Sequence, residues 1–141
     1  MEIGFLTISD RATMSKTISE SDVYLFAGIT GDFNPVHVNA EAARTSVFGE
    51  RVVHGILVTG LISAVIGTKL PGEGTIYLEQ DVKFLKPVKI GDTVTAIVKV
   101  IDIINQEKGI IKLDTTVENQ NGEQVITGYA VVKILKKEEK E

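Results

Sequence analysis

The sequence predicts an α+β fold in which an antiparallel sheet wraps around one central buried helix. Three observations carry this expectation. Ile56 to Lys69 is apolar on nearly every side, so a helix there leaves little polar face for water. After it the hydrophobic period changes from helical to alternating, and four strand-like segments follow with short connections. Asn121-Gly122, two residues that accept positive φ, separates the last two of them as a hairpin signal.

The elements follow in order. Within residues 4 to 18, Phe5, Leu6, Ile8, Met14 and Ile18 are spaced by polar residues, which predicts a first strand. Ser19 offers a capping oxygen, and Glu20 and Asp22 put negative charge at the positive end of a helix over Glu20 to Ile29. Val23, Phe26 and Ala27 of that helix should face the core. Residues 30 to 38 should be a loop, because Pro35 lacks an amide hydrogen and pushes Asn34 out of the helical region. Asn39 then caps a short helix over Ala40 to Thr45.

The apolar helix stops at the turn signal Leu70-Pro71-Gly72-Glu73-Gly74. In the next strand Ile76, Leu78, Val82 and Phe84 alternate with Tyr77, Glu79, Asp81 and Lys83. Val94 to Val100 and Ile111 to Val117 repeat the alternation, and Val125 to Leu135 closes the series. One buried helix followed by a four-strand antiparallel meander is a hot-dog architecture. The tail over residues 136 to 141 is nearly all charged and should fray.

A chain of 141 residues with 43% hydrophobic and 24% charged residues reads as a single globular domain over its whole length. Its net charge of −4 gives no long-range attraction for nucleic acid or an anionic membrane, so neither is an expected partner. With no cysteine, disulfides, thiolate catalysis and cysteine-ligated zinc or iron–sulfur sites are excluded. Any chemistry must use oxygen and imidazole groups. The start lacks the basic and apolar regions of a signal peptide, and Gly55 to Gly67 is too short to span a bilayer, so the expected location is the cytoplasm.

The chain has only two histidines, His37 and His54. Gly31-Asp32-Phe33-Asn34-Pro35-Val36-His37 puts a carboxylate, an amide and an imidazole in one stiff turn, a set able to bind a water, orient it and move its protons. On spacing alone Asp32 reads equally well as an ordinary helix-terminating turn, and His37 as a half-buried loop residue. No paired spacing of the His-x3-His kind supports a metal site. At the start of the buried helix, Val52-Val53-His54-Gly55-Ile56 presents free amides able to stabilise an oxyanion, with Gly55 leaving room for a substrate. His54 itself reads as local packing, and Ser63 as a helix serine bonded to its own backbone. No Gly-x-Ser-x-Gly elbow supports a serine nucleophile.

These residues, with Tyr77, Phe84-Leu85-Lys86-Pro87-Val88 and Gly91-Asp92 in the same order, make the chain from Val23 to Val132 resemble the MaoC-like, (R)-specific enoyl-CoA hydratase family. The resemblance implies a hot-dog enzyme that hydrates trans-2-enoyl thioesters to (R)-3-hydroxyacyl thioesters with no metal and no organic cofactor. It implies that Asp32 and His37 hold the catalytic water, in an order the sequence leaves open. Asn34 would support them, and the Gly55 amide would receive the thioester oxygen. Ser63 matches a serine of these hydratases, and Ser63 and Ile66 are expected beside the acyl chain.

The implied partner is an acyl-CoA, with acyl carrier protein as the alternative carrier; Arg51, Lys69, Lys83 and Lys86 could assemble a phosphate clamp. An exposed sheet edge and an open groove point to a homodimer. Two rival readings remain open at this point: a hot-dog thioesterase, and a noncatalytic acyl-thioester-binding protein. Pro87-Val88 and Gly91-Asp92 read physically as a strand end and a turn.

Overall fold

Ser19 and Asp22 close a capping box, each side chain meeting the other's backbone amide, and this fixes where the first long helix begins. The computed structural model describes residues 2–3 and 6–135. In chain order the elements are β1 (Glu2–Ile3), β2 (Leu6–Thr7), β3 (Arg11–Thr17), α1 (Glu20–Thr30), α2 (Pro35–Val38), α3 (Ala40–Arg44), α4 (Gly55–Thr68), β4 (Thr75–Phe84), β5 (Thr93–Asn105), β6 (Ile110–Glu118) and β7 (Gln124–Ile134). β1 and β2 form a small ribbon by themselves, and the other strands form one antiparallel sheet in the order β3-β5-β6-β7-β4. α4 packs on that sheet, which is the hot-dog arrangement expected from its apolar run.

The core lies between α4 and the sheet. Val58, Leu61, Ile62, Val65 and Ile66 turn inward against Val94, Ala96 and Val98 of β5 and Ile111 and Leu113 of β6. Val23 and Ala27 bury the inner face of α1, whereas Phe26 is half-buried with its ring against His54.

Four expectations need correction. Residues 30 to 38 are not loop throughout, because the proline that stops α1 starts a new helical turn: Pro35 occupies the first position of α2, where a missing amide costs nothing, and Asn34 caps it. The four late strands are not a simple meander, since β4 pairs with β7 and only β5-β6-β7 run consecutively. After Phe84 the chain leaves the sheet, is caught by Val53, whose amide donates to the Val88 carbonyl at 2.7 Å, and re-enters beside β3, where the Ile18 amide donates to the Asp92 carbonyl at 2.9 Å.

The alternation predicted for β4 also fails. A bulge between Tyr77 and Glu79 shifts its register against β7, and Ile76, Leu78 and Phe84 are exposed while Val82 packs on the core. Finally, α4 is not buried all round in one chain. Ile56, Gly60, Ser63 and Gly67, spaced along one helical stripe, face solvent, because the sheet covers only the opposite side. The charged tail lies outside the described residues.

Candidate active site

Local chain chemistry brings the expected pair together. α1 ends at Gly31 in the left-handed region (φ 82°), with the Gly31 amide donating to the Ala27 carbonyl at 2.8 Å. This turn delivers Asp32, whose Oδ1 accepts from the Asn34 amide at 3.2 Å. The Asn34 Oδ1 in turn accepts from the Val36 amide at 3.4 Å and so caps the single turn that carries His37. Asn34 thus supports both residues through the main chain. The Val52 amide donates to the Val36 carbonyl at 3.2 Å, tying this turn to the strand-like segment ahead of α4.

The His37 Nδ1 lies 2.7 Å from the Val52 carbonyl. A carbonyl can only accept, so Nδ1 carries the hydrogen and Nε2 of the neutral ring is left as a basic nitrogen. Ligand atoms of Asp32, His37 and His54 all lie within 4.8 Å of one another. Asp32 is exposed, His37 is half-buried, and His54 is only 2% exposed. A carboxylate and an imidazole at this separation leave space for one water bonded to both.

A cavity of about 530 Å³ opens beside His37, lined by Asn34, His37, Phe48, Gly55, Phe84, Lys86 and Val88 among others, with Asp32 outside its lining. That volume suits a small organic substrate, and its walls are mostly apolar, as an acyl chain requires. Gly55 is the first residue of α4, and the His54 side chain makes no capping bond to that helix, so the positive end of the helix faces the cavity uncapped by it. A Cβ at Gly55 would stand 2.5 Å from the Phe84 ring. Glycine is therefore what lets the Phe84 ring and the helix start share one wall.

Residues 9–123 match the family described as the MaoC like domain. The chain belongs to this family. Over 123 residues it is 52% identical to the (R)-specific enoyl-CoA hydratase of Rhodospirillum rubrum, covering 87% of this chain and 84% of that protein. Over 139 residues it is 44% identical to the 3-hydroxybutyryl-CoA dehydratase of Methylorubrum extorquens, covering 99% of this chain and 84% of that one. Among solved structures, the (R)-hydratase from Aeromonas caviae superposes with a TM-score of 0.89 at 40% identity, over 93% of this chain and 98% of the other.

Several other expected members of the site stand elsewhere in this MaoC-like chain. Ser63 lies on the exposed stripe of α4 and Ile66 is buried in the core, so neither lines the cavity. The edge of the buried helix face falls between them, although they are one turn apart. The expected phosphate clamp is not assembled: Arg51 pairs with Glu20, Lys83 with Asp81 and Lys86 with Glu123, while Lys69 donates to the Thr13 carbonyl. The Glu20 carboxylate raises the Arg51 guanidinium further above its ordinary range. Of these four cations only Lys86 reaches the cavity wall. Tyr77, at the exposed edge of the sheet, hydrogen-bonds Gln80, and partial burial pushes its phenol up.

Two histidines and one carboxylate are also a possible ligand set for a metal ion. The rings of His37 and His54 stack at 3.8 Å with 26° between their planes. One nitrogen of each is already committed to a main-chain carbonyl. Among the described residues no helix is long and apolar enough to cross a membrane.

Proposed function

We propose that the protein is an (R)-specific enoyl-CoA hydratase, adding water to trans-2-enoyl-CoA and, in reverse, dehydrating (R)-3-hydroxyacyl-CoA. The observation that carries this reading is the close approach of Asp32 to His37, which lines an apolar cavity, in a chain whose relatives bear those activities in their names. In the forward direction one member of the pair takes a proton as the water oxygen bonds C3. The electron pair moves to the thioester oxygen, where the Gly55 amide at the head of α4 stabilises the enolate. Collapse of the enolate then takes a proton at C2 from the pair, so no net proton is consumed. Coenzyme A is the carrier we favour, because the more similar relatives name CoA substrates; acyl carrier protein is the alternative.

Incubation with crotonyl-CoA tests the reading. Loss of enoyl absorbance without release of thiol is the expected result. Thiol release would instead make the protein a thioesterase, and no change in either signal would leave it a binding protein.

The same reading makes the whole chain one domain and its working form a homodimer in the cytoplasm, where its charged, impermeant substrate is held. Among the described residues β4 pairs with β7 alone, and its outer edge presents exposed Ile76, Tyr77 and Leu78. An apolar unpaired edge of this kind is a surface that proteins cover. The exposed stripe of α4 through Ile56, Gly60 and Ser63 needs cover as well. Sedimentation at micromolar concentration is expected to give the mass of two chains, and Ile76→Lys to shift the population toward one. A wild-type monomer at that concentration would contradict the assembly.

A further inference from the structure

His54 is a buried titratable side chain beside the reacting pair that the mechanism above does not use. Its Nε2 lies 2.9 Å from the main-chain carbonyl of Asp32, twenty-two residues away in sequence. Because a carbonyl only accepts, Nε2 carries a hydrogen. The other nitrogen, Nδ1, is buried and has no hydrogen-bond partner. A proton there would be a donor with nothing to receive it, on a ring that is 2% exposed and stacked on His37. The favoured form is therefore the neutral ring with its hydrogen on Nε2. His37 holds the opposite tautomer, with its hydrogen on Nδ1 bonded to Val52.

These contacts converge on one side chain. The His54 ring grips the main chain of Asp32, lies flat against His37 at 3.8 Å, is flanked by Phe26 of α1 at 4.7 Å, and directly precedes the Gly55 amide. We propose that His54 is a positioning residue: with its Nε2 hydrogen fixed on the Asp32 carbonyl and its ring stacked on His37, it sets the distance between Asp32 and His37 and the direction of the His37 Nε2. The assignment rests on the hydratase reading for its kinetic consequence, but its tautomer does not depend on that reading.

Three substitutions separate the functions of the ring. His54→Gln keeps a donor near the position of Nε2 and loses the stack; His54→Phe keeps the stack and loses the donor; His54→Ala loses both. With crotonyl-CoA, His54→Phe and His54→Ala are expected to lower kcat by about tenfold or more while KM stays within about threefold, and His54→Gln to recover most of kcat. Equal kcat in the folded fraction of all three would overturn the role, as would losses confined to thermal stability.

The independent readout is the imidazole nitrogen spectrum of the wild-type protein at neutral pH. With only two histidines present, the two rings are assigned by the signals lost in His54→Gln and His37→Gln. The expected result is two opposite tautomers, hydrogen on Nε2 for His54 and on Nδ1 for His37. A doubly protonated His54, or two rings averaging between tautomers, would overturn the proposal even if the enzyme were active. The expected tautomers without hydration of crotonyl-CoA would instead count against the hydratase reading alone.

Discussion

Asp32→Asn and His37→Gln should each lower turnover on crotonyl-CoA by at least about a hundredfold, a typical contribution of a general acid or base. Folding and thioester binding should survive. Asp32 is exposed, and neither replacement changes side-chain size much. In the proposed mechanism one water is shared by both groups, so removing either leaves the other without a correctly placed proton to handle. The double variant should therefore be little slower than the poorer single one, instead of showing the product of both losses. Steady-state kinetics on the four proteins measure this. Multiplicative losses would mean that the two residues serve separate steps, and near-wild-type rates in either single variant would remove the pair from the mechanism.

The largest expected effect on stability comes from Gly128→Ala. Gly128 sits in β7 opposite Val82 of β4, and a Cβ there would meet the Asp81 carbonyl oxygen at 1.8 Å. The obstacle is backbone, so no side-chain rotation relieves it, and β4 must move away from the sheet. Overpacking of this kind should cost about 3 kcal/mol and lower the melting temperature by roughly 10 °C. Gly28→Ala is the control. Its Cβ would meet nothing within 4 Å, and helix propensity in α1 should make it neutral or stabilising by up to about 1 kcal/mol. Thermal or urea unfolding compares the two. A Gly128→Ala protein as stable as the wild type would show that β4 and β7 are not so closely apposed.

That close approach of β4 to β7 is also where the sequence was least legible. The alternation in Ile76 to Phe84 announces a strand, but whether a strand lies next to its chain neighbour depends on what captures the connection after it. Here Val53 and Ile18 capture it, through main-chain bonds that leave no pattern in the side chains. The bulge at Leu78 likewise depends on the pairing with β7. By contrast β5 and β6 were readable because their burial follows from their own period, and α4 was readable as a helix from its long apolar run. The exposed stripe of α4 escaped notice because Gly60, Ser63 and Gly67 are small, and an apolar residue at Ile56 gives no sign of facing water.

In the candidate site, the grouping of Asp32, Asn34 and His37 was legible because they fall in one short segment, and Pro35 restricts the turn that holds them. His54 was not, since its partners are a carbonyl from a distant turn and the ring of the other histidine. The available signal was its position directly before Gly55 at the head of the apolar helix. The separation of Ser63 and Ile66 from the cavity turns on where the sheet edge crosses α4, which a helical repeat alone does not give.

The most direct measurement of the central claim follows the oxygen of the water. Crotonyl-CoA is converted in water labelled with heavy oxygen, and the product is analysed for the position of the label and the configuration of the new centre. The account predicts one heavy oxygen at C3 of intact 3-hydroxybutyryl-CoA, all of it in the (R) form. Label in a free carboxylate would place the attack at the thioester carbonyl, and an (S) or racemic alcohol would show that the pair does not hold the water on one face of the double bond.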